Sequence, residues 1–334
     1  MKYAVLTVLS LFAAILVIIP IPWHWRARNI PTLALMGWLF SVNVIYAVNT
    51  IVWNGTVENK IPVWCDITSK IRIGSQYAIA ACILCLCRSL EFIAANRAVF
   101  VDRKSRFRWM IFDCCVCFLI PCIGMALHFI VQGHRFDILE DFGCQPTIYN
   151  SIPAIFIIFL PPLIMAFVAM GLAGSAFYHF FKLRLAFNEH LAKYSSALTA
   201  GRYIRLMGMS VVVILWNTAL YLYNLILNVK LGLRPWTNWA DVHSNWNRAD
   251  QYPLAYATDA YIQNVVVYFC AVPVSSLVVF FFFGMGEEAL KEYARLWKWI
   301  RRGIFRRRDV PSSSIKPSLS CYTYVSSFSS NSDD

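Results

Sequence analysis

Long apolar runs, each closed by a short polar or basic stretch, fill the chain from Ala4 to Phe283. A membrane-spanning helix needs about 20 mostly apolar residues. Seven runs qualify, at 4–22, 31–53, 63–92, 109–131, 152–181, 203–228 and 260–283. The third differs from the others. Its first half holds Asp66, Thr68, Ser69, Lys70, Arg72, Ser75 and Gln76, and its second half is apolar from Tyr77 to Cys87. Asp66 and Lys70 stand four apart on one helical face and can pair. Charges at that depth face a polar cavity or a protein partner, because lipid penalises them heavily. The other helices are therefore expected to surround the third, with a cavity open on its Cys65 side.

Beyond Phe283 the pattern changes to that of an amphipathic helix. Ala289, Leu290, Tyr293, Leu296, Trp297, Ile300 and Ile304 take one face, and Glu287, Glu288, Lys291, Glu292, Arg295, Lys298, Arg301 and Arg302 take the other. Such a helix at 286–305 is expected to lie on the inner leaflet, its basic cluster Arg301–Arg308 against anionic lipid. The Ser-rich remainder lacks periodic apolar spacing and reads as disordered. The expected domains are thus a seven-helix bundle at 1–283, a juxtamembrane helix at 284–305 and a tail at 306–334. The first run follows Lys2 as a signal peptide would, but no small-residue cleavage site follows it, so a retained helix is expected.

Charge fixes an orientation. Of 30 Lys and Arg residues, 22 fall in the segments 23–30, 88–108, 182–205 and 284–334, and six in 1–3, 54–62, 132–151 and 229–259. Basic loops stay in the cytoplasm, so the N-terminus is expected outside and the C-terminus inside, which requires an odd number of spans. Asn54-Gly55-Thr56, a glycosylation acceptor, then falls outside. So do Cys65 and Cys144, the two cysteines near that face. A bridge between them is expected in an oxidising compartment, with two unpaired thiols as the alternative.

Composition agrees with a membrane protein: 59% of residues are hydrophobic and 14% charged, against about 25% charged in soluble domains. The net charge of +12 is placed by loops and leaflet, so nucleic acid is not an expected partner. Pro121, Pro153, Pro161, Pro162 and Pro273 kink helices and free carbonyls, either as hinges or as irregular packing. Zinc-helix, phosphate-loop and nucleophile-elbow patterns do not occur, so neither catalysis nor a metal or other cofactor is expected. Polar residues facing the cavity are the ligand candidates: Asp66, Lys70, Arg72 and Gln76 first, then Asn43, Asn49, His128 and Asn224. Each has an alternative as an interhelical hydrogen bond, worth about 0.6 kcal/mol. Trp236, Trp239 and Trp246 either cover the site or anchor the interface. A receptor fits this pattern; a multi-pass transporter or channel, which more often shows an internal repeat, is the alternative.

Several stretches, in order, resemble the fungal a-factor (lipopeptide) mating-pheromone receptors, the class D G-protein-coupled receptors, and in particular their mushroom-type members. They are Trp64-Cys65-Asp66-Ile67 with Lys70; Leu84-Cys85 with Arg88; Gly143-Cys144 with Tyr149 and Ser151; Leu160-Pro161-Pro162-Leu163; Phe181-Lys182-Leu183-Arg184; Tyr203-Ile204-Arg205-Leu206; and Phe283-Gly284-Met285-Gly286-Glu287-Glu288-Ala289. The resemblance implies a plasma-membrane receptor for a farnesylated peptide that activates a heterotrimeric G protein through its α subunit. It also implies coupling at Arg88, Lys182, Arg184, Arg202 and Arg205. Whether two copies pair as a homodimer stays open.

Overall fold

The computed structural model describes residues 3–95, 103–187, 197–285, 289–290, 293–295 and 297–298; the side chains at 103, 106, 183–187 and 197–206 fall outside that description. Most of the expected 286–305 helix and all of the 306–334 tail lie outside the described residues. Residues Lys291–Asp334 form a unit separate from Met1–Leu290, and its five described residues are helical.

Among the described residues, seven helical spans are long and apolar enough to cross a membrane: Ala4–Arg26, Ile30–Val52, Pro62–Ala94, Phe107–Val131, Ile152–Lys182, Met207–Lys230 and Asp259–Gly284. The third span is α4 (Pro62–Ala94), an uninterrupted helix of 33 residues, or roughly 50 Å at 1.5 Å per residue. Pro62 opens it in the first turn, where a missing N–H costs nothing. Its most apolar window is 67% buried, against 28% to 56% in the other spans, so it sits at the centre of the bundle. It packs on the second span's helix (Ile30–Val52), on the fifth's (Leu160–Phe187) and on the sixth's (Ala197–Lys230).

The third and fourth spans approach closely through reciprocal small and large residues. A Cβ on Gly74 would lie 2.8 Å from Met125 Sδ, and one on Gly124 would lie 2.7 Å from the Tyr77 ring. Small residues let membrane helices close on one another in this way.

Two of the expected proline breaks take one form. The helix widens to a π turn at Cys115–Leu119 before Pro121, and again at Ile155–Phe159 before Pro161 and Pro162. A helical proline cannot bond the carbonyl four residues back. Pro121 thereby frees Cys117 O, which accepts from Trp38 Nε1 at 3.3 Å. Pro161 frees Ile157 O, which accepts from the Tyr77 hydroxyl. A side chain from a neighbouring span fills each gap, as the bilayer interior demands. Cys82, Cys85, Cys87 and Cys117 are buried free thiols in the main apolar cluster with Leu35, Met36, Leu86 and Val213.

The loops at the Cys65 end fold into a small sheet. Strand β1 (Phe136–Leu139) pairs antiparallel with β2 (Gly143–Gln145) and in parallel with β3 (Ala249–Tyr252), in the order β2-β1-β3. Cys65 and Cys144 are disulfide-bonded across a separation of 79 residues, pinning β2 to the top of α4. Gly143 has φ +69°, and a Cβ there would meet Asn49 and Trp53 at 2.7 to 2.8 Å. The turn of this hairpin therefore needs glycine on two grounds.

Candidate functional site

Beneath the hairpin, between the second, third, sixth and seventh spans, lies an inner chamber of about 370 Å³. Its walls carry Tyr46, Arg72, Gln76, Phe142, Tyr221, Asn224, Tyr268 and Phe269. Phe142 reaches it from the hairpin turn. Tyr46 stacks on Phe269 with centroids 4.3 Å apart, Phe142 meets Phe269 edge-on at 5.8 Å, and Tyr3 lies 5.2 Å from Phe142. These rings make one aromatic wall. The Tyr221 hydroxyl donates to Gln76 O at 3.0 Å.

Arg72 is the charge of this chamber. Its Nη1 donates to Cys144 O at 2.7 Å and to Gln145 Oε1 at 2.6 Å, and its guanidinium lies 5.2 Å over the Tyr46 ring. Among the described residues no carboxylate pairs with it. The disulfide hairpin thus holds a cation through a backbone carbonyl and an amide oxygen, both neutral.

A second, more polar compartment of about 560 Å³ lies outside the first and shares Ile148 and Asn228 with it. His134, Asp137, Arg234, Asp241, Arg248, Asp250 and Tyr252 line it. Burial pushes the Asp137 carboxyl above its ordinary value, and a hydrogen bond from His134 opposes the shift.

The candidate residues divide. Arg72, Gln76 and Asn224 line the inner chamber. Asp66, Lys70, Asn43, Asn49 and His128 are not on either wall. The Asp66–Lys70 pair that the spacing allows is also absent. Asp66 instead binds Arg135 through both carboxylate oxygens, at 2.8 and 2.5 Å. A bidentate guanidinium outcompetes a lysine four residues along the helix. The carboxylate in turn holds the Arg135 guanidinium above its ordinary value. Lys70 turns to neutral partners, His128 Nδ1 at 3.0 Å and Gln132 Oε1 at 2.5 Å. His128 Nε2 lies 2.8 Å from Thr147 O, so Nε2 carries the hydrogen and Nδ1 accepts from Lys70. Asn43, fully buried, donates to Leu39 O and Ser276 Oγ. Asn49 accepts from Trp64 Nε1 at 2.8 Å. Lys70, His128, Asn43 and Asn49 thus make hydrogen bonds between spans, and Asp66 bonds to the loop after the fourth span.

The three loop tryptophans line neither compartment. Trp236 Nε1 donates to Ile130 O at 3.2 Å, and Trp239 and Trp246 cluster with His243 around Phe129. They fasten the loop after the sixth span to the end of the fourth. Asn54 is exposed in the turn after the second span.

At the opposite end Arg88 binds Asp113 at 2.7 Å, with its guanidinium 4.5 Å over Trp109 and 4.3 Å over Phe112. Lys182 is exposed and lies 5.7 Å over the Tyr178 ring. The side chains of Arg184, Arg202 and Arg205 lie outside the described residues. Sequence reasoning missed Tyr46, Phe142, Gln145, Tyr221, Tyr268 and Phe269. Their aromatic character in apolar spans is indistinguishable from packing, and Phe142 and Gln145 reach the chamber only through the unforeseen hairpin.

Comparison with known proteins places the chain in a family. Residues 5–302 match the family model described as pheromone A receptor (STE3). The chain is 44% identical over 294 residues to the pheromone B beta 1 receptor of Schizophyllum commune, covering 88% of this chain and 54% of that one. It is 34% identical to the pheromone B alpha 1 receptor of the same fungus, covering 89% and 47%. It is 28% identical to pheromone receptor 1 of Mycosarcoma maydis, covering 85% and 80%. The chain spans about half the length of the Schizophyllum relatives. With 298 matched residues over seven apolar spans, the chain belongs to the pheromone A receptor family.

Proposed function

We propose that this chain is a plasma-membrane receptor that binds a farnesylated peptide pheromone at its Cys65 end and activates a heterotrimeric G protein at the other. The observation that carries the reading is the inner chamber, whose wall is part aromatic and part polar. Its rings stand beside a guanidinium that has no carboxylate partner among the described residues, and a larger polar compartment adjoins it at Ile148 and Asn228. A prenylated peptide has the same two-part chemistry. Its lipid suits the rings of Tyr46, Tyr268 and Phe269, and its backbone suits Gln76, Asn224 and Arg72. Membership of the pheromone A receptor family supports the same reading. The distribution of Lys and Arg and the Asn54 acceptor support a Cys65 end that faces outside. On the inside, Arg88, Lys182, Arg184, Arg202 and Arg205 border the expected G-protein surface. Agonist then acts by binding one arrangement of the spans better than another, a few kcal/mol being enough.

The test is agonist-dependent GTP exchange on a fungal Gα in membranes containing the chain. A panel of farnesylated peptides is compared with unfarnesylated controls. Exchange should rise with a farnesylated peptide only, and Gln76→Ala or Asn224→Ala should raise the half-maximal concentration at least tenfold. No exchange with any peptide, from chain shown to be folded at the surface, overturns the reading and favours a transporter.

A further inference from the structure

The outer compartment brings together three metal-binding side chains that the pheromone reading leaves unused. Asp137 of β1 lies directly opposite Asp250 of β3 in their parallel register. Like charges so placed on one sheet face repel, and the pair calls for a cation between them. His134 aims its Nε2 into that gap, 2.6 Å from Asp137 Oδ1 and 3.5 Å from Asp250 Oδ2. The three ligand atoms lie within 4.8 Å of one another, and all three residues are half-buried.

Zinc bonds to nitrogen and oxygen run about 2.0–2.2 Å, so tetrahedral ligand atoms stand roughly 3.3–3.6 Å apart. Opening the His134–Asp137 contact by less than about 1 Å admits the ion on that geometry. Arg248 Nε binds the other oxygen of Asp250, Oδ1, at 2.8 Å, which leaves Oδ2 turned toward the gap. Such outer partners commonly orient a ligand carboxylate. Arg248 Nη2 also lies 3.2 Å from His134 Nδ1. That contact makes Nδ1 an acceptor and leaves the ring hydrogen on Nε2, facing Asp137. Metal on Nε2 moves the hydrogen to Nδ1, so Arg248 must release the ring. Its side chain is 48% exposed and has room to turn away while keeping Asp250.

We propose that His134, Asp137 and Asp250 form a binding site for a divalent transition-metal ion of the zinc class, with its remaining position open to the outer compartment. The ion joins β1 to β3. It thereby ties the loop after the fourth span to the loop after the sixth, across the compartment wall.

The test titrates Zn²⁺ into the full chain in lipid nanodiscs against a chromophoric chelator. One equivalent should bind at micromolar concentration. His134→Gln and Asp250→Asn should each weaken it at least tenfold, while Arg248→Gln keeps all three ligands and an amide donor for Asp250, removes a competing cation, and should bind Zn²⁺ as tightly or more tightly. No stoichiometric Zn²⁺ on the unmodified chain overturns the site, as does unchanged binding in Asp250→Asn. Should the ligand variants fail to fold, Arg248→Gln decides. Folded protein that has lost Zn²⁺ marks the cluster as an ion-pair network and nothing more.

Discussion

Single residues in this protein matter most where they complete a neighbour's unfilled bond. The Tyr77 hydroxyl on the carbonyl freed by Pro161 is the clearest case. Tyr77→Phe should cost about 1–2 kcal/mol, the penalty of a buried unpaired carbonyl, read as a lowered thermal midpoint in detergent. With Pro161→Ala in place, the helix can reclaim its own bond, so Tyr77→Phe should then cost much less; a double-mutant cycle measures the difference. Gly143→Ala faces both a positive φ and the Asn49 and Trp53 side chains. It should cost more than about 1 kcal/mol and lower the surface yield of folded chain. At this scale the sequence was partly legible. The polar first half of α4 brought out Arg72 and Gln76, which line the inner chamber. Helical spacing offered Lys70 as a partner for Asp66, because spacing along one helix is blind to Arg135, a loop residue 69 positions away.

Elements are joined here by two ion pairs of unequal weight. Asp66–Arg135 is about one-third exposed on both sides, whereas Arg88–Asp113 is 22% and 13% exposed and sandwiched by Trp109 and Phe112. Exposed pairs contribute roughly 0–1 kcal/mol, while breaking a buried one costs about 3 kcal/mol or more. Arg88→Met should therefore destabilise the chain several times more than Arg135→Met in thermal unfolding. Equal effects would show that depth does not rank these pairs. Hydropathy made the seven spans readable because twenty apolar residues have few other uses. The π turns were not readable beyond their prolines, since the same residues also form a simple kink. The three strands were invisible. FDIL, GCQ and ADQY are too short to show alternation, and β3 finds its partner 113 positions back along the chain.

The unit Met1–Leu290 is a bundle capped at one end by a disulfide-pinned sheet. Cys144→Ser should cost up to roughly 4–5 kcal/mol on the chain-entropy account of a loop this long, seen as loss of folded chain at 37 °C. The central place of α4 and the cavity at its Cys65 end followed from its half-polar sequence. The second compartment did not, because loops 100 residues apart build it. That separation has a meaning in time as well as in space. A ribosome adds roughly 5–20 residues each second, so β1 waits about 6–23 s for β3 after its own synthesis. During that interval β2 covers one edge of β1 and the other is bare. A bare edge is a template for pairing with another chain. Chains arrested before Ala249 should accumulate as aggregates, and the nascent chain has most need of a chaperone during those seconds.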